Sequence, residues 1–291
     1  MNIQHLAKNI NHKAVLADIN VELPAGEIIG LVGRNGSGKT TFFRTVAGQY
    51  LPDQGELLIE GKSMLIDPAL KEQLFFLDES THFLNSYSLK KIALFYRAAY
   101  AQFDYDLFLQ LVRKYQLPLN RLFRFFSKGM QGLAKIILAV CSNAQYLLLD
   151  EPFDGLDYFI RQEVIELLLN FQESGKTLVI ASHNLNELET LVDRVLFLKN
   201  HTIQKNYHLE VLRSNARKIQ IVLREKKVPA FIKENSRFIQ KQGRVWVVLF
   251  EHYNPALEEQ LQALNPLLLE ELPLSLADLF EANLRERQEV Q

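Results

Sequence analysis

The stretch Gly33-Arg34-Asn35-Gly36-Ser37-Gly38-Lys39-Thr40-Thr41 fits the pattern G-x-x-x-x-G-K-[ST] without a gap. The pattern has meaning only at a turn between a buried strand and a helix, and both flanks are present. Ile28-Ile29-Gly30-Leu31-Val32 reads as a short strand covered on both faces, and Thr41 to Ala47 reads as a helix. At such a turn, glycines let backbone N–H groups curl around an anionic phosphate, and the helix adds the positive end of its dipole. Lys39 would reach the terminal phosphates, and Thr40 would offer a hydroxyl to Mg²⁺. The alternative is a glycine-rich turn that holds nothing; Lys39, Thr40 and the flanks weigh against it.

The surrounding pattern fills in a fold. Alternating apolar and polar residues around Ile3–Leu6 and Ala17–Leu23 predict antiparallel strands before the loop, and Glu56 to Glu60 another strand after it. Leu74-Phe75-Phe76-Leu77, Tyr146-Leu147-Leu148-Leu149-Asp150-Glu151-Pro152, Thr177 to His183 and Arg194 to Leu198 read as buried strands. From Tyr87 to about Phe126 the period changes to that of helices, with no strand signal inside. A further helix runs from Leu133 to about Ser142, and an amphipathic one over 160–172. Strands and helices in alternation predict an α/β core with a mostly parallel sheet, which carries ligands at the carboxyl ends of its strands. This domain is expected to span 1–205, with a helical subdomain over about 85–145. Residues 206–291 form a small α+β unit, with strands at Lys218–Leu223 and Arg244–Phe250 and helices at Leu257–Leu264 and Ser275–Leu284. Ser275 caps the last helix, with Asp278 in its first turn.

Composition removes several function classes. With 33 Lys and Arg against 34 Asp and Glu, the net charge of -1 gives no electrostatic reason to expect nucleic acid. No apolar run approaches the roughly 20 residues that span a bilayer, and Met1-Asn2-Ile3-Gln4-His5 lacks the layout of a secretory signal. A single cysteine, Cys141, excludes an internal disulfide and suits a reducing cytosol; its apolar surroundings assign it to packing. The aromatic-basic segment Arg121 to Phe126 could meet a partner, but packing is the plainer reading.

Four further positions carry chemistry. Asp150 ends a buried strand near the phosphate loop, where a carboxylate can hold Mg²⁺. Glu151 follows and could polarise an attacking water. The bland reading is that the two carboxylates merely finish a strand. His183 ends another strand at the same sheet edge, within reach of a γ-phosphate, although a lone histidine is usually a surface or core residue. Ser127 caps the helix that opens Lys128-Gly129-Met130, giving one chain a second anion-binding helix end. A second such end is useful where two copies meet head to tail, each serving the other's nucleotide.

Taken in order, these landmarks resemble the nucleotide-binding subunit of an ATP-binding cassette (ABC) transporter: phosphate loop 33–40, signature 126–130, Walker B strand 146–151, D-loop Gly155-Leu156-Asp157 and switch His183. The stretch Phe95-Tyr96…Tyr100…Phe103-Asp104…Leu117-Pro118, running into Phe126-Ser127-Lys128-Gly129-Met130, is similar to the bacterial branch that exports antibiotics and peptides through a separate membrane polypeptide. So is the closing Leu274-Ser275-Leu276-Ala277-Asp278-Leu279-Phe280. The resemblance implies two ATPase subunits, two copies of this chain or this chain with a related one, sandwiching two ATP with Mg²⁺. Each ATP would lie between one subunit's Lys39 loop and the other's Ser127–Met130 helix. Glu151 would be the general base, His183 would sense the γ-phosphate, and Thr40, Asp150 and Glu79 would face the metal. The chain would sit in the cytoplasm against the inner face of the membrane.

The departures from that pattern are specific. Lys128 and Met130 replace the usual Gly and Gln of the signature, as this branch does. Gly132 stands where a basic residue or Gln is common, Glu79 where a glutamine is, and Ile10, with His12 nearby, where an aromatic usually stacks on adenine. Two other readings use the same motifs: an ATPase of this type acting on translation or DNA, and a non-hydrolysing regulatory partner. The single phosphate loop and absence of heptads weigh against the first, and the joint presence of Glu151 and His183 against the second.

Overall fold

The computed structural model describes residues 1–78, 82–224 and 228–284. Two compact units emerge: Met1–His183 with Leu191–Asn206, and Asn184–Thr190 with the chain from Tyr207 onward.

In the first unit, β1 (Asn2–Ile10) and β2 (Lys13–Glu22) form an antiparallel pair joined at Asn11-His12, both residues in the left-handed region. After β3 (Ile28–Val32) and α1 (Lys39–Val46), β4 (Gln54–Ile59) returns to pair with β1, and the short β5 (Lys62–Ser63) extends this four-stranded sheet. The chain then enters β6 (Leu74–Leu77), α2 (Leu89–Ala99), α3 (Tyr105–Lys114) and α4 (Lys128–Cys141). It closes with β7 (Tyr146–Asp150), α5 (Tyr158–Glu173), β8 (Thr177–Ala181), β9 (Arg194–Lys199) and β10 (Thr202–His208). The central sheet has the order β10-β9-β3-β8-β7-β6, and every pair from β9 to β6 is parallel. The loops after β3, β7 and β8 therefore leave the same sheet edge, which is what builds the site.

Side chains explain why these elements hold. Phe42 and Phe43 of α1 are fully buried with Ile29, Leu31, Leu148 and Val179, so the phosphate-loop helix is seated on the sheet. Phe75 of β6 packs its ring 5.1 Å from Tyr96 and 5.5 Å from Tyr100, which fastens α2 to the sheet's edge strand. Cys141 is buried, and burial pushes its thiol up to about 12, which removes it from thiolate chemistry. In the aromatic-basic segment, Phe123 and Phe126 are buried whereas Phe125 is exposed between the guanidinium groups of Arg121 and Arg124.

The second unit takes in α6 (Leu185–Glu189), which the sequence placed in the first domain, and α7 (Leu209–Asn215). It continues through β11 (Arg217–Val222), α8 (Ala230–Asn235), β12 (Arg237–Gln242), β13 (Val245–Phe250), α9 (Pro255–Ala263), β14 (Leu268–Leu272) and α10 (Leu276–Leu284). The order β-α-β-β-α-β with an antiparallel sheet β12-β13-β11-β14 is the ferredoxin-like arrangement. Trp246, Val248 and Phe250 pack against Ile219, Ile221, Leu257 and Leu261. Glu189 of α6 accepts a bond from Leu276 N at 3.1 Å and meets Arg213 of α7, which is why α6 belongs here.

At the start of α10, Ser275 N donates to Asp278 Oδ2 at 2.9 Å and Asp278 N donates back to Ser275 Oγ at 3.2 Å. Lys218 Nζ adds a 2.8 Å ion pair to Asp278. Burial pushes the Asp278 carboxyl up, but Lys218 and Ser275 outweigh it and leave the group below its ordinary value. A depressed carboxyl stabilises above its unfolded pKa and loses that contribution as pH falls through the folded one. Asp278→Asn is thus expected to cost about 1–2 kcal/mol at pH 7. The variant and the parent should begin to approach each other below about pH 4 and converge only once pH falls below the depressed folded value. Trp246 is the chain's one tryptophan and is buried in this unit, so urea unfolding followed by its fluorescence reads the difference directly.

Candidate nucleotide site

The loop between β3 and α1 depends on glycine at two positions in different ways. Gly38 caps α1 with φ 107, and a Cβ there would lie 3.1 Å from the Val15 carbonyl oxygen. At Gly33 the obstacle is space: a Cβ would fall 2.5 Å from Ser37 Oγ and 2.6 Å from the Leu198 carbonyl oxygen. Arg34, Asn35 and Gly36 are exposed on the outside of the loop, and Thr41 sits half-buried in the first turn of α1. Lys39 is 8% exposed and donates from Nζ to the Gly33 carbonyl at 2.8 Å. Burial lowers its pKa, and the carboxylates of Glu151 and Asp150 pull it back up.

Asp150, the last residue of β7, is 5% exposed and accepts a 2.7 Å bond from Thr40 Oγ1. Burial raises its pKa; the Thr40 bond opposes this, while the Glu151 and Asp78 carboxylates add to it. Glu151 comes next with φ 49, a left-handed conformation that costs a non-glycine residue free energy. Its N–H donates to the Ala181 carbonyl at 2.9 Å, which holds the turn against β8. Its carboxylate accepts from His183 N at 3.0 Å and from the His183 ring Nδ1 at 2.9 Å. A carboxylate only accepts, so ring Nδ1 carries a hydrogen, and the clamp leaves Nε2 outside it.

Lys39, Thr40, Asp150, Glu151 and His183 thus come together at the carboxyl ends of β3, β7 and β8. The signature residues lie with the D-loop instead. Ser127 accepts a bond from Met130 N at 3.2 Å and caps α4, which starts at Lys128 and runs on without a break into the apolar stretch from Leu133. Lys128 and Gly129 lie beside Gly155. Asp157 caps α5 by accepting from Ile160 N at 3.0 Å. Glu79 lies outside the described residues. Ile10 is half-buried at the end of β1, directly before the exposed Asn11-His12 turn. Sequence reasoning missed one pair at the site's edge: Arg44 of α1 holds Asp78, at the end of β6, at 2.7 Å. Its signal was available, since Arg44 stands in the last turn of the loop helix and Asp78 follows a buried strand.

The chain matches the family model described as "ABC transporter" over residues 16–154. It is 28% identical over 281 residues, 96% of each chain, to the ABC transporter ATP-binding protein YtrB of Bacillus subtilis. It is 32% identical to the ABC transporter ATP-binding protein MJ1023 of Methanocaldococcus jannaschii, over 68% of this chain and 73% of that one. The lantibiotic transport ATP-binding protein SrtF of Streptococcus pyogenes shares 27% over 68% of this chain and 86% of its own. The spermidine/putrescine import ATP-binding protein PotA of Spiroplasma citri shares 31% over 70% and 60%. Among solved structures, an ATP-binding subunit of an ABC transporter superposes with a TM-score of 0.67 at 24% identity, covering 73% of this chain and 92% of that one. Among the described residues, no helix is long and apolar enough to cross a membrane. With the phosphate loop seated on a parallel sheet, one relative matched over 96% of the chain and another 32% identical over 68% of it, the chain belongs to the ATP-binding subunits of ABC transporters and is an ATPase.

Proposed function

We propose that this chain hydrolyses ATP at a site completed by a second ATPase subunit and uses closure of that site to drive export through a separate membrane protein. The observation that carries the hydrolytic part is the clamp of His183 on Glu151, beside Lys39 and the Thr40–Asp150 pair. Loop N–H groups and Lys39 bind the phosphates and offset their charge. Glu151 takes the proton of the attacking water, and the His183 N–H groups keep that carboxylate aimed. His183 Nε2 would serve the γ-phosphate as a donor, which requires a hydrogen on both ring nitrogens, since phosphate oxygens only accept. Proton transfer of this kind is worth about 10²–10⁴ in rate, so most of the barrier lowering falls to positioning and electrostatics.

Thr40 and Asp150 fit Mg²⁺: they are hard oxygen donors 2.7 Å apart beside the loop. The buried, raised Asp150 is the kind of carboxylate that a cation would relieve. When bound, the ion neutralises phosphate charge. On the second subunit, Ser127 to Met130 would close over the nucleotide, with Asp157 at the joint. Two copies of this chain suffice for that arrangement. With Ile10 in place of an aromatic, base recognition is loose, and GTP is expected to support turnover within about tenfold of ATP; steady-state rates with both nucleotides check this.

Export as the direction is supported by the likeness of residues 95–130 to the exporter branch and by the lantibiotic relative, while the name of the polyamine relative points the other way. Reconstitution with the membrane subunit in vesicles decides it. ATP outside should drive an amphipathic peptide into inverted vesicles and stimulate turnover. ATP-driven movement in the opposite sense contradicts export.

A further inference from the structure

Gly132 is the fifth residue of α4, and helical spacing puts it on one face with Lys128 and Gly129. Glycine is the poorest ordinary helix former, so its place here asks for a packing reason. The D-loop supplies one. A Cβ on Gly132 would fall 2.7 Å from Leu156 Cδ2 and 3.7 Å from Leu156 Cγ. The same face meets the preceding residue: Gly155 O lies 3.8 Å from a Cβ on Gly129, and Lys128 Cβ lies 3.4 Å from one on Gly155.

Leu156 has little room to yield. It is 5% exposed, its N–H donates to the Phe153 carbonyl at 3.2 Å, and its own carbonyl accepts from Arg161 at 3.2 Å. The next residue, Asp157, is fixed by its cap on α5. The clash is with the tip of the buried Leu156 side chain, so a methyl group at 132 turns that side chain out of its seat against α4 or moves the start of the helix away from it.

Resting on the two-subunit reading above, we propose that Gly132 is a positioning residue. By admitting Leu156 against α4, it sets the spacing between the Ser127–Met130 helix start and Asp157, so that both reach the opposing subunit's nucleotide in register. It touches no nucleotide itself.

The test compares Gly132→Ala, Leu156→Ala and the double variant in the assembly that hydrolyses ATP. A fluorescent ATP analogue reads the nucleotide affinity of each separate subunit. Gly132→Ala should lower kcat by about tenfold or more, with affinity within about twofold, because the phosphate loop is untouched. The double variant should regain at least about a third of the parental kcat, since Leu156→Ala gives the new methyl group its space. Leu156→Ala alone, which crowds nothing, should show the same split of lower kcat with unchanged affinity, and it keeps the test open if Gly132→Ala folds poorly. A normal kcat in Gly132→Ala, a double variant no better than Gly132→Ala, or affinity falling in parallel with kcat overturns the proposal. Ser127→Arg separates the two layers. If Ser127→Arg turns over normally, the two-subunit reading falls; if it is inactive while Gly132→Ala is normal, only the role of Gly132 falls.

Discussion

Glu151→Gln is expected to lower ATP turnover by about 10²–10⁴-fold while leaving ATP binding intact. Glutamine keeps the length and one acceptor oxygen for the His183 backbone N–H at 3.0 Å, while its amide NH₂ cannot accept from the ring Nδ1. It loses the charge and the basicity. The left-handed φ of 49 at this position is a property of the β7 turn, anchored through the Ala181 carbonyl, and is unchanged by the substitution. Binding rests on the Gly33–Thr41 loop, which Glu151 does not form. The loss should therefore fall on kcat, and the variant should hold ATP in a closed dimer. Phosphate release gives the first quantity, and light scattering with and without ATP gives the second. Equal falls in kcat and affinity would place Glu151 in binding rather than proton transfer.

Asp150→Asn is expected to act with opposite signs on stability and activity. A folded carboxyl raised above its unfolded value costs stability when it ionises; the cost is absent below the unfolded pKa and complete above the folded one. Asparagine removes that cost at neutral pH and still accepts from Thr40. The melting temperature without nucleotide should therefore rise, by about 2–4 °C for each kcal/mol relieved. Turnover with Mg²⁺ should fall at least about a hundredfold, because a cation at such a site is worth several kcal/mol. Scanning calorimetry at pH 7 and at pH 3.5 checks the first part, with the gain confined to pH 7. Excess EDTA should bring the parent down to the variant's rate.

The core of the fold was legible because its signals are local and dense. Apolar runs of four or five residues ending in Asp150 or Ser182 leave few options besides buried parallel strands, and the Gly33–Thr41 spacing ties one strand to one helix. The second unit was legible only in part. The strand at Arg237–Gln242 mixes polar residues with apolar ones, and β14 is a half-exposed edge carrying Glu270 and Glu271, so neither has a clean pattern. The six-residue α8 is shorter than the roughly 11–18-residue window over which a helical period shows. The placement of α6 in this unit depends on Glu189 meeting Arg213 and Leu276, partners 24 and 87 residues away. Site chemistry followed the same divide. Asp150 and Glu151 stood out at a strand end, whereas the fit of Leu156 over Gly132 is a matter of packing distance that spacing alone does not carry.

The most direct measurement mixes two inactive variants. Lys39→Ala disables the phosphate loop and Ser127→Arg the signature helix, so neither homodimer has an intact site. In the mixed dimer, one site pairs the two lesions and the other pairs the two intact halves. With random exchange, turnover should recover to about a quarter of the wild-type rate, since half the dimers carry one of two sites. A mixture as inactive as its components, or full turnover by Ser127→Arg alone, would contradict a site shared between two copies of this chain.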